Sequence, residues 1–295
     1  MYLLLGFGIL VILLALYLRH VNNGMKQVPH EALKLSPKRW TDEEIRRTYK
    51  QISEKPLDWT PHLPPHLERR YVVVGGSGLI GGFLILHLLA RGTPPENIRI
   101  IDFRTSPRRE LKRGKAAEVE FVRADITSIP SITAAFSQPW PSNVSSLPLT
   151  VFHTAASIRP GERAKVFIPR VSAVNIDGTR NVLDAAKKAG ADVFIATSSA
   201  SISVRPINFW IPPWRESPKG YMQIYRNPEE DESIRPHGAY FSNYAWSKAR
   251  AEQLVMQAND GDNFKTGCIR PACGVYGTKY DLSFGSYMAQ GHFQT

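Results

Sequence analysis

The sequence predicts an α/β fold, a doubly wound parallel sheet with helices on both faces, and three observations carry that prediction. Between residues 71 and 277, short apolar runs of strand length alternate with helical patterns, as expected of parallel strands joined by covered crossovers. The first run, Tyr71-Val-Val-Val74, opens directly into a turn containing Gly75, Gly76, Gly78, Gly81 and Gly82. The second run, Ile98-Arg-Ile-Ile, closes on an acid, Asp102. A chain of 295 residues with 43% hydrophobic and 21% charged residues can bury one large core with appendages, and it is not a disordered protein.

Taken in order, residues 2–18 are uncharged and end at Arg19 and His20, a run at the short edge of a membrane span. A secretory signal would place its basic residues before the apolar run and a small-residue cleavage site after it; here the basic residues come after the run. The expectation is a retained anchor over residues 1–20, in the membrane through 2–18. Arg19, Lys26, Lys34, Lys38 and Arg39 hold the downstream side in the cytosol, and the sequon at Asn143-Val-Ser145 then goes unglycosylated. Residues 21–70 form a polar, proline-punctuated tether, with one helix announced by the capping box Thr41-Asp-Glu-Glu44 and running to about Ser53.

The sheet domain is expected over 71–277. Its strands are read at 71–74, 98–101, 120–123, 149–153, 193–197 and 265–269. Its helices are read at 81–91, 131–136, 174–188 (closed by Gly190) and 242–258. Only eighteen residues, 278–295, come after Gly277, too few for another covered βα unit.

Strand, glycine turn and helix in succession suit a pyrophosphate, because the turn admits it to the backbone and the helix start offers N–H groups. Gly75, Ser77, Gly78, Leu79, Ile80 and Gly81 are therefore the expected cofactor cradle of a Rossmann-type domain. Asp102 is placed to accept from both ribose hydroxyls and to repel a 2′-phosphate, which favours NAD over NADP. Arg104, Arg108 and Arg109 lie just beyond and leave two readings open, a rescue of the 2′-phosphate or a solvated basic loop. Far downstream, Tyr244 and Lys248 stand four apart on a helix, a phenol beside an ammonium that favours its ionised form. Such a pair is a candidate base near neutral pH.

The formal charge of +11 is spread along the chain with no nucleic-acid motif, so it reads as solubility beside an anionic membrane surface, not as a nucleic-acid site. Cys268 and Cys273, without histidine-rich neighbours, argue against a disulfide framework and against a metal site. His87 and His237 lack partner acids and read as surface or interface histidines. The insertion around Trp210 and Trp214 has three readings: a membrane-dipping edge, the roof of an apolar pocket, or a packed loop.

With these residues in place, the chain resembles an extended short-chain dehydrogenase/reductase, most of all the 3β-hydroxysteroid dehydrogenase-type branch, over about residues 71–277. The Gly-x-x-Gly-x-x-Gly turn is matched by Gly75, Gly78 and Gly81, with Val74 where a threonine often stands. The resemblance implies that Asp125 and Ile126 contact adenine, although Asp125 alone also reads as a helix cap. It implies that Ala155 and Ala156, in His153-Thr-Ala-Ala, line the cofactor, and that Pro271, in Arg270-Pro271, covers the nicotinamide. Asn175, in Asn175-Ile-Asp-Gly-Thr-Arg-Asn-Val182, would hold a water next to the lysine or be a plain helix polar residue. Ser199 would orient the substrate, with Ser198 and Ser201 as alternatives. Relatives also often pair as homodimers through the Tyr244 helix.

The function implied is oxidation of a bulky hydrophobic alcohol, a sterol or steroid 3β-hydroxyl, to the ketone, by an enzyme anchored in the endoplasmic reticulum with its catalytic domain in the cytosol. Two other readings stand: a nucleotide-sugar epimerase, dehydratase or other carbonyl reductase of the same fold, and a non-catalytic dinucleotide-binding scaffold. The scaffold reading draws on the expectation that the C-terminal substrate domain is truncated, leaving a remnant at 278–295.

Overall fold

The computed structural model describes residues 2–28, 33–34, 37–38, 40–55, 57–159, 161–204, 206, 211–215 and 235–272. Trp210, Cys273, Gly277 and the segment 278–295 lie outside the described residues. The chain separates into two compact units, Met1–Asp58 with Ser203–Phe241, and Trp59–Ile202 with Ser242–Thr295.

In the first unit, α1 (Tyr2–Lys26) is long and apolar enough to cross a membrane, and none of its most apolar window is buried. The helix continues past the apolar run through Arg19 and His20, whose Nε2 lies 3.1 Å from the carbonyl oxygen of Pro212. Helix α2 (Asp42–Glu54) starts where its capping box requires. The Glu44 N–H donates to Thr41 Oγ1 at 3.2 Å, and the Thr41 N–H donates back to Glu44 Oε2 at 2.9 Å. Trp214 is exposed.

The second unit is built on six parallel strands: β1 (Arg70–Val74), β2 (Ile98–Asp102), β3 (Glu120–Arg123), β4 (Leu149–His153), β5 (Ala191–Thr197) and β6 (Lys265–Ile269). Their order is β3-β2-β1-β4-β5-β6, so the chain reverses direction across the sheet between β1 and β4. In open sheets of this kind the crevice beyond the carboxyl ends at that reversal is where a ligand sits. Alternation within β1 explains why both faces are covered. Val72 and Val74 join Val151, Val182, Phe194 and Val255 in one core, while Tyr71 and Val73 join Ile85, Leu88, Ile98 and Ile100 in the other.

The crossover helices are α3 (Leu79–Ala90), α4 (Ile129–Phe136) and α7 (Asn243–Gln257), together with a composite helix after β4. The expected helix over 174–188 starts earlier and is not regular: α5 (Ile168–Ser172) leads into a π-turn at Ala173–Asp177, and α6 (Gly178–Lys188) follows. Asn175 accounts for the break. Its side chain, in the middle of the π-turn, accepts from the Ser157 N–H at 2.7 Å and donates to the Ser157 carbonyl at 3.1 Å, which ties the helix to the loop after β4. Helical periodicity in the sequence is blind to one inserted residue of this kind.

Arg99, inside the otherwise apolar β2, is fully buried. Its Nε donates to Glu120 Oε2 at 2.6 Å, its Nη1 and Nη2 donate to the carbonyls of Gln138 and Pro139 at 2.9 and 2.8 Å, and its guanidinium lies 4.1 Å over the Trp140 ring. One side chain therefore satisfies three acceptors beneath the sheet. Because Glu120 is itself part-exposed, the loss on Arg99→Met should be roughly 2–4 kcal/mol, below the full cost of stranding a buried partner. Urea unfolding of the two proteins measures it, and an unchanged midpoint would show that the arginine contributes nothing net.

Candidate active site

The glycine turn depends on the absence of two side chains. Gly75 has φ +82°, and a Cβ there would stand 2.5 Å from the Ala155 nitrogen; a Cβ on Gly81 would stand 2.5 Å from the Gly75 carbonyl oxygen. Gly78 is the N-cap of α3 and brings no side chain to cap it, and the first turn of α3 carries no acid. Helices α2, α4 and α7 are capped by the side chains of Thr41, Ser128 and Ser242. The N–H groups of Leu79, Ile80 and Gly81 thus open the helix with no side-chain acceptor from the cap, which suits an anionic group such as a pyrophosphate.

Asp102 ends β2 beside this turn. Its Oδ2 accepts from the Ser77 N–H at 3.1 Å and its Oδ1 from the Arg104 N–H at 3.4 Å. Burial pushes its pKa up, against these backbone N–H bonds. Ser77 is buried and donates to the Arg104 carbonyl at 2.7 Å, locking the turn to the loop after β2. That loop corrects the reading of its arginines as a uniform set. Arg104 and Arg109 are exposed, but Arg108 is buried, with its guanidinium 4.1 Å over Phe83 and Nη1 donating to the Leu79 carbonyl at 3.2 Å. It packs under α3, and neither a solvated loop nor a free phosphate contact describes it.

Asp125 and Ile126 follow β3 after one intervening residue, Ala124. The exposed Asp125 accepts from the N–H and hydroxyl of Thr127 at 2.9 and 2.8 Å, closing a turn, while the cap of α4 is Ser128. Ile126 is buried against the sheet, where a Cβ on Gly178 would come within 2.7 Å of its Cδ1. Ala155 and Ala156, after β4, are half-buried beside the glycine turn.

Helix α7 is placed by its first residues. Ser242 Oγ caps the Ala245 N–H at 3.2 Å, and buried Asn243 binds the loop after β4 through its N–H to the Glu162 carbonyl and its Nδ2 to the Ala164 carbonyl, each at 2.9 Å. Tyr244 and Lys248 then face the end of β5. Lys248 is buried, and its Nζ donates to the Thr197 carbonyl at 2.5 Å. Ser199 accepts from the Ser201 N–H at 3.2 Å, and its side chain draws the Tyr244 phenol down. Ser198, by contrast, donates to Glu252. Pro271 lies just past β6, with its carbonyl accepting from the Ala200 N–H at 3.0 Å. Of the two lone histidines, His87 is exposed on α3.

The electrostatics differ from the simple expectation that the ammonium activates the phenol. Burial pushes the Tyr244 phenol up, and the Ser199 hydrogen bond is what draws it down. Burial likewise pushes Lys248 down to about 8, opposed by Cys268 and Glu252. The Cys268 thiol, itself pushed up to about 12 chiefly by burial, is neutral when Lys248 titrates. Glu252 is then the anion that keeps the ammonium charged.

A chain of hydrogen bonds links β4 to α7. Thr179 has one hydroxyl proton, given to the Asn175 carbonyl at 2.7 Å, so His153 Nε2, 2.9 Å away, must donate to the Thr179 oxygen. His153 is neutral, because burial pushes it down to about 3, with Lys248 adding to the effect. Asn175 Nδ2 donates in turn to Ser247 Oγ at 2.9 Å, and Ser247 donates to the Tyr244 carbonyl at 2.8 Å. Sequence reasoning had no view of Ser247, Thr179 or Glu252. The one available signal was the spacing of Tyr244, Lys248 and Glu252, each four residues beyond the last.

The Lys248 shift makes a pH prediction. A folded-state pKa below the unfolded one means that the unfolded chain holds more protons between about pH 8 and about pH 10.5, so stability rises with pH across that window. Lys248→Met removes this dependence. Its stability relative to the wild type should therefore be greatest below about pH 8 and decline as pH rises, by roughly 1.4 kcal/mol for each unit of displacement. Urea melts of both proteins across the window check it, and parallel pH curves would refute a buried ammonium.

Comparison with known proteins identifies the family. The model of the 3-beta hydroxysteroid dehydrogenase/isomerase family matches residues 72–290. The chain is 31% identical over 219 residues to mouse 3 beta-hydroxysteroid dehydrogenase type 7, covering 72% of this chain and 52% of that protein. It is 29% identical over 214 residues to the decarboxylating sterol-4-alpha-carboxylate 3-dehydrogenase of Saccharomyces cerevisiae, covering 70% and 51%. Among solved structures, the Bordetella bronchiseptica enzyme WbmG in complex with NAD is 23% identical, with a TM-score of 0.46 and coverage of 70% of this chain and 54% of that one. The chain spans about half the length of the curated relatives it matches. With three quarters of its residues inside the family match, this chain belongs to the 3-beta hydroxysteroid dehydrogenase/isomerase family.

Proposed function

We propose that this chain carries the dinucleotide site and the catalytic base of a membrane-anchored, NAD-dependent oxidoreductase that converts a ring hydroxyl of a sterol-like or steroid-like alcohol to the ketone. The observation that carries the reading is the buried Lys248, donating to the Thr197 carbonyl one helical turn beyond Tyr244, at the carboxyl end of the sheet where α3 also starts without a side-chain cap. The relatives named for 3β-hydroxysteroid and sterol 3-dehydrogenase activities supply the substrate class.

The bound dinucleotide supplies the acceptor for the hydride that leaves the carbinol carbon. Tyr244, as phenolate, takes the hydroxyl proton while the C=O bond forms. Ser199 donates to the substrate oxygen and shares its negative charge. Lys248, held by the Thr197 carbonyl, would bind the nicotinamide ribose of the cofactor. Asp102 would accept from the adenosine ribose hydroxyls and disfavour a 2′-phosphate, Asp125 and Ile126 would border the adenine, and Ala155, Ala156 and Pro271 would line the cofactor. Asn175, through its bonds to Ser157 and Ser247, holds the loop after β4 and α7 in register. Helix α1 anchors the enzyme in a bilayer where apolar alcohols partition, with the endoplasmic reticulum as its site.

With NAD and a panel of 3β-hydroxysterols, the detergent-solubilised full chain should form NADH, and Tyr244→Phe should lower kcat at least about 100-fold. An unchanged rate in that variant sinks the mechanism. Asp102→Ser should raise the KM for NAD about tenfold and narrow the preference over NADP, read from the ratio of kcat/KM values for the two cofactors. Deleting residues 2–26 should move the protein from the carbonate-resistant membrane pellet to the supernatant; retention in the pellet would overturn the anchor.

A further inference from the structure

Glu252 stands one helical turn beyond Lys248 and two beyond Tyr244, on the same side of α7. Both its carboxylate oxygens are engaged by Arg270, with Nε at 3.1 and 3.0 Å and Nη2 at 2.6 Å, and Oε2 also accepts from the Ser198 hydroxyl. The pair is sheltered, its side chains 14% and 30% exposed, and its geometry is the bidentate one that makes such contacts strong and directional. The backbone around it is tied as well. The Ser198 N–H donates to the Ile269 carbonyl at 2.7 Å and the Ala200 N–H to the Pro271 carbonyl at 3.0 Å. Ser199 therefore lies between two residues held to the end of β6, and the carboxylate that completes the hold projects from the helix that carries the tyrosine.

We propose that Glu252 is a positioning residue for alcohol oxidation: by gripping Ser198 and Arg270 together, it sets the geometry at which the Ser199 hydroxyl meets the Tyr244 phenol. The proposal rests on the oxidoreductase reading above. A carboxylate on any other element would hold the end of β5 to β6 equally well, but would let both drift against α7. From Glu252, the base and the segment bearing its hydroxyl partner are referenced to one rigid helix. Misplacement of a reacting group by about 1 Å costs on the order of 100-fold in rate, which sets the scale of the expected effect. The same carboxylate also favours the charged form of Lys248.

The test is a double-mutant cycle in the full chain, with Glu252→Ala, Ser199→Ala and the pair. Glu252→Ala should lower kcat about 100-fold while changing the KM for the alcohol and the NAD affinity by less than about threefold. In the Ser199→Ala background, the same substitution should cost less than about tenfold, because the hydroxyl it positions is gone. Full additivity would overturn the proposal by showing a general structural effect. Glu252→Gln and Arg270→Lys, milder changes, run through the same cycle if the alanine variant fails to fold. Independently of turnover, amide hydrogen exchange at Ser198 and Ala200 should accelerate at least about tenfold in the Glu252 variants. Exchange at the wild-type rate overturns the proposal, whereas a wild-type protein that oxidises no alcohol but shows the exchange change removes the oxidoreductase reading and leaves the grip itself intact.

Discussion

The close approach of Gly75 to the Ala155 backbone is the constraint on which the rest of the site depends. Strands β1 and β4 are neighbours, yet the chain leaves them in opposite directions across the sheet, so their carboxyl ends bracket the one crevice a parallel sheet leaves open. For the turn after β1 to fold back against the residues after β4, neither Gly75 nor Gly81 can carry a Cβ. Thr154 completes the join by donating to the carbonyls of Val74 and Gly75 at 2.9 and 3.1 Å. Asp102 and Ser199 lie at that edge because parallel strands send every carboxyl end the same way, and α7 reaches it through the bond from Lys248 to the Thr197 carbonyl.

The strands were legible because a sheet buried on both faces demands continuous apolar runs bounded by turns. Val72 and Val74 serve one core and Tyr71 and Val73 the other, so the run shows no polar alternation and its ends are sharp. The glycine turn and the Tyr-Lys spacing were legible for a related reason, since each is local chemistry with its own geometry. The features that escaped sequence reasoning depend on partners far along the chain. Arg99 reads as a charged intruder in a strand until Glu120, Gln138 and Pro139 are brought beneath it. Arg108 reads as part of a basic loop, but Phe83 and Leu79 draw it inside. The grip of Glu252 joins three segments between residues 198 and 270 that no window of sequence contains.

The buried polar groups around α7 show how the protein tolerates charge in its interior. An ammonium in an apolar site is costly unless its protons find acceptors and its field finds an opposite charge. Lys248 has the Thr197 carbonyl for the first and Glu252 for the second. His153, lying nearby, remains neutral, chiefly through its own burial, with the Lys248 field adding to the effect. Charge is thus limited to Lys248, Glu252 and its partner Arg270, and the surrounding hydrogen bonds pass through neutral hydroxyls and amides at Thr179, Asn175 and Ser247.

The π-turn at Ala173–Asp177 has a consequence for how this region accommodates change. Each residue of an α-helix advances the side chains by about 100°, so one extra residue resets the angular phase between the segments on its two sides. Helix α6 keeps Val182, Leu183, Ala185 and Ala186 buried, while α5 buries Val171. The inserted residue lets each half of one continuous rod turn its own apolar residues inward. Restoring plain α-helical winding at Ala173–Asp177 would rotate one half against the other by about 100°.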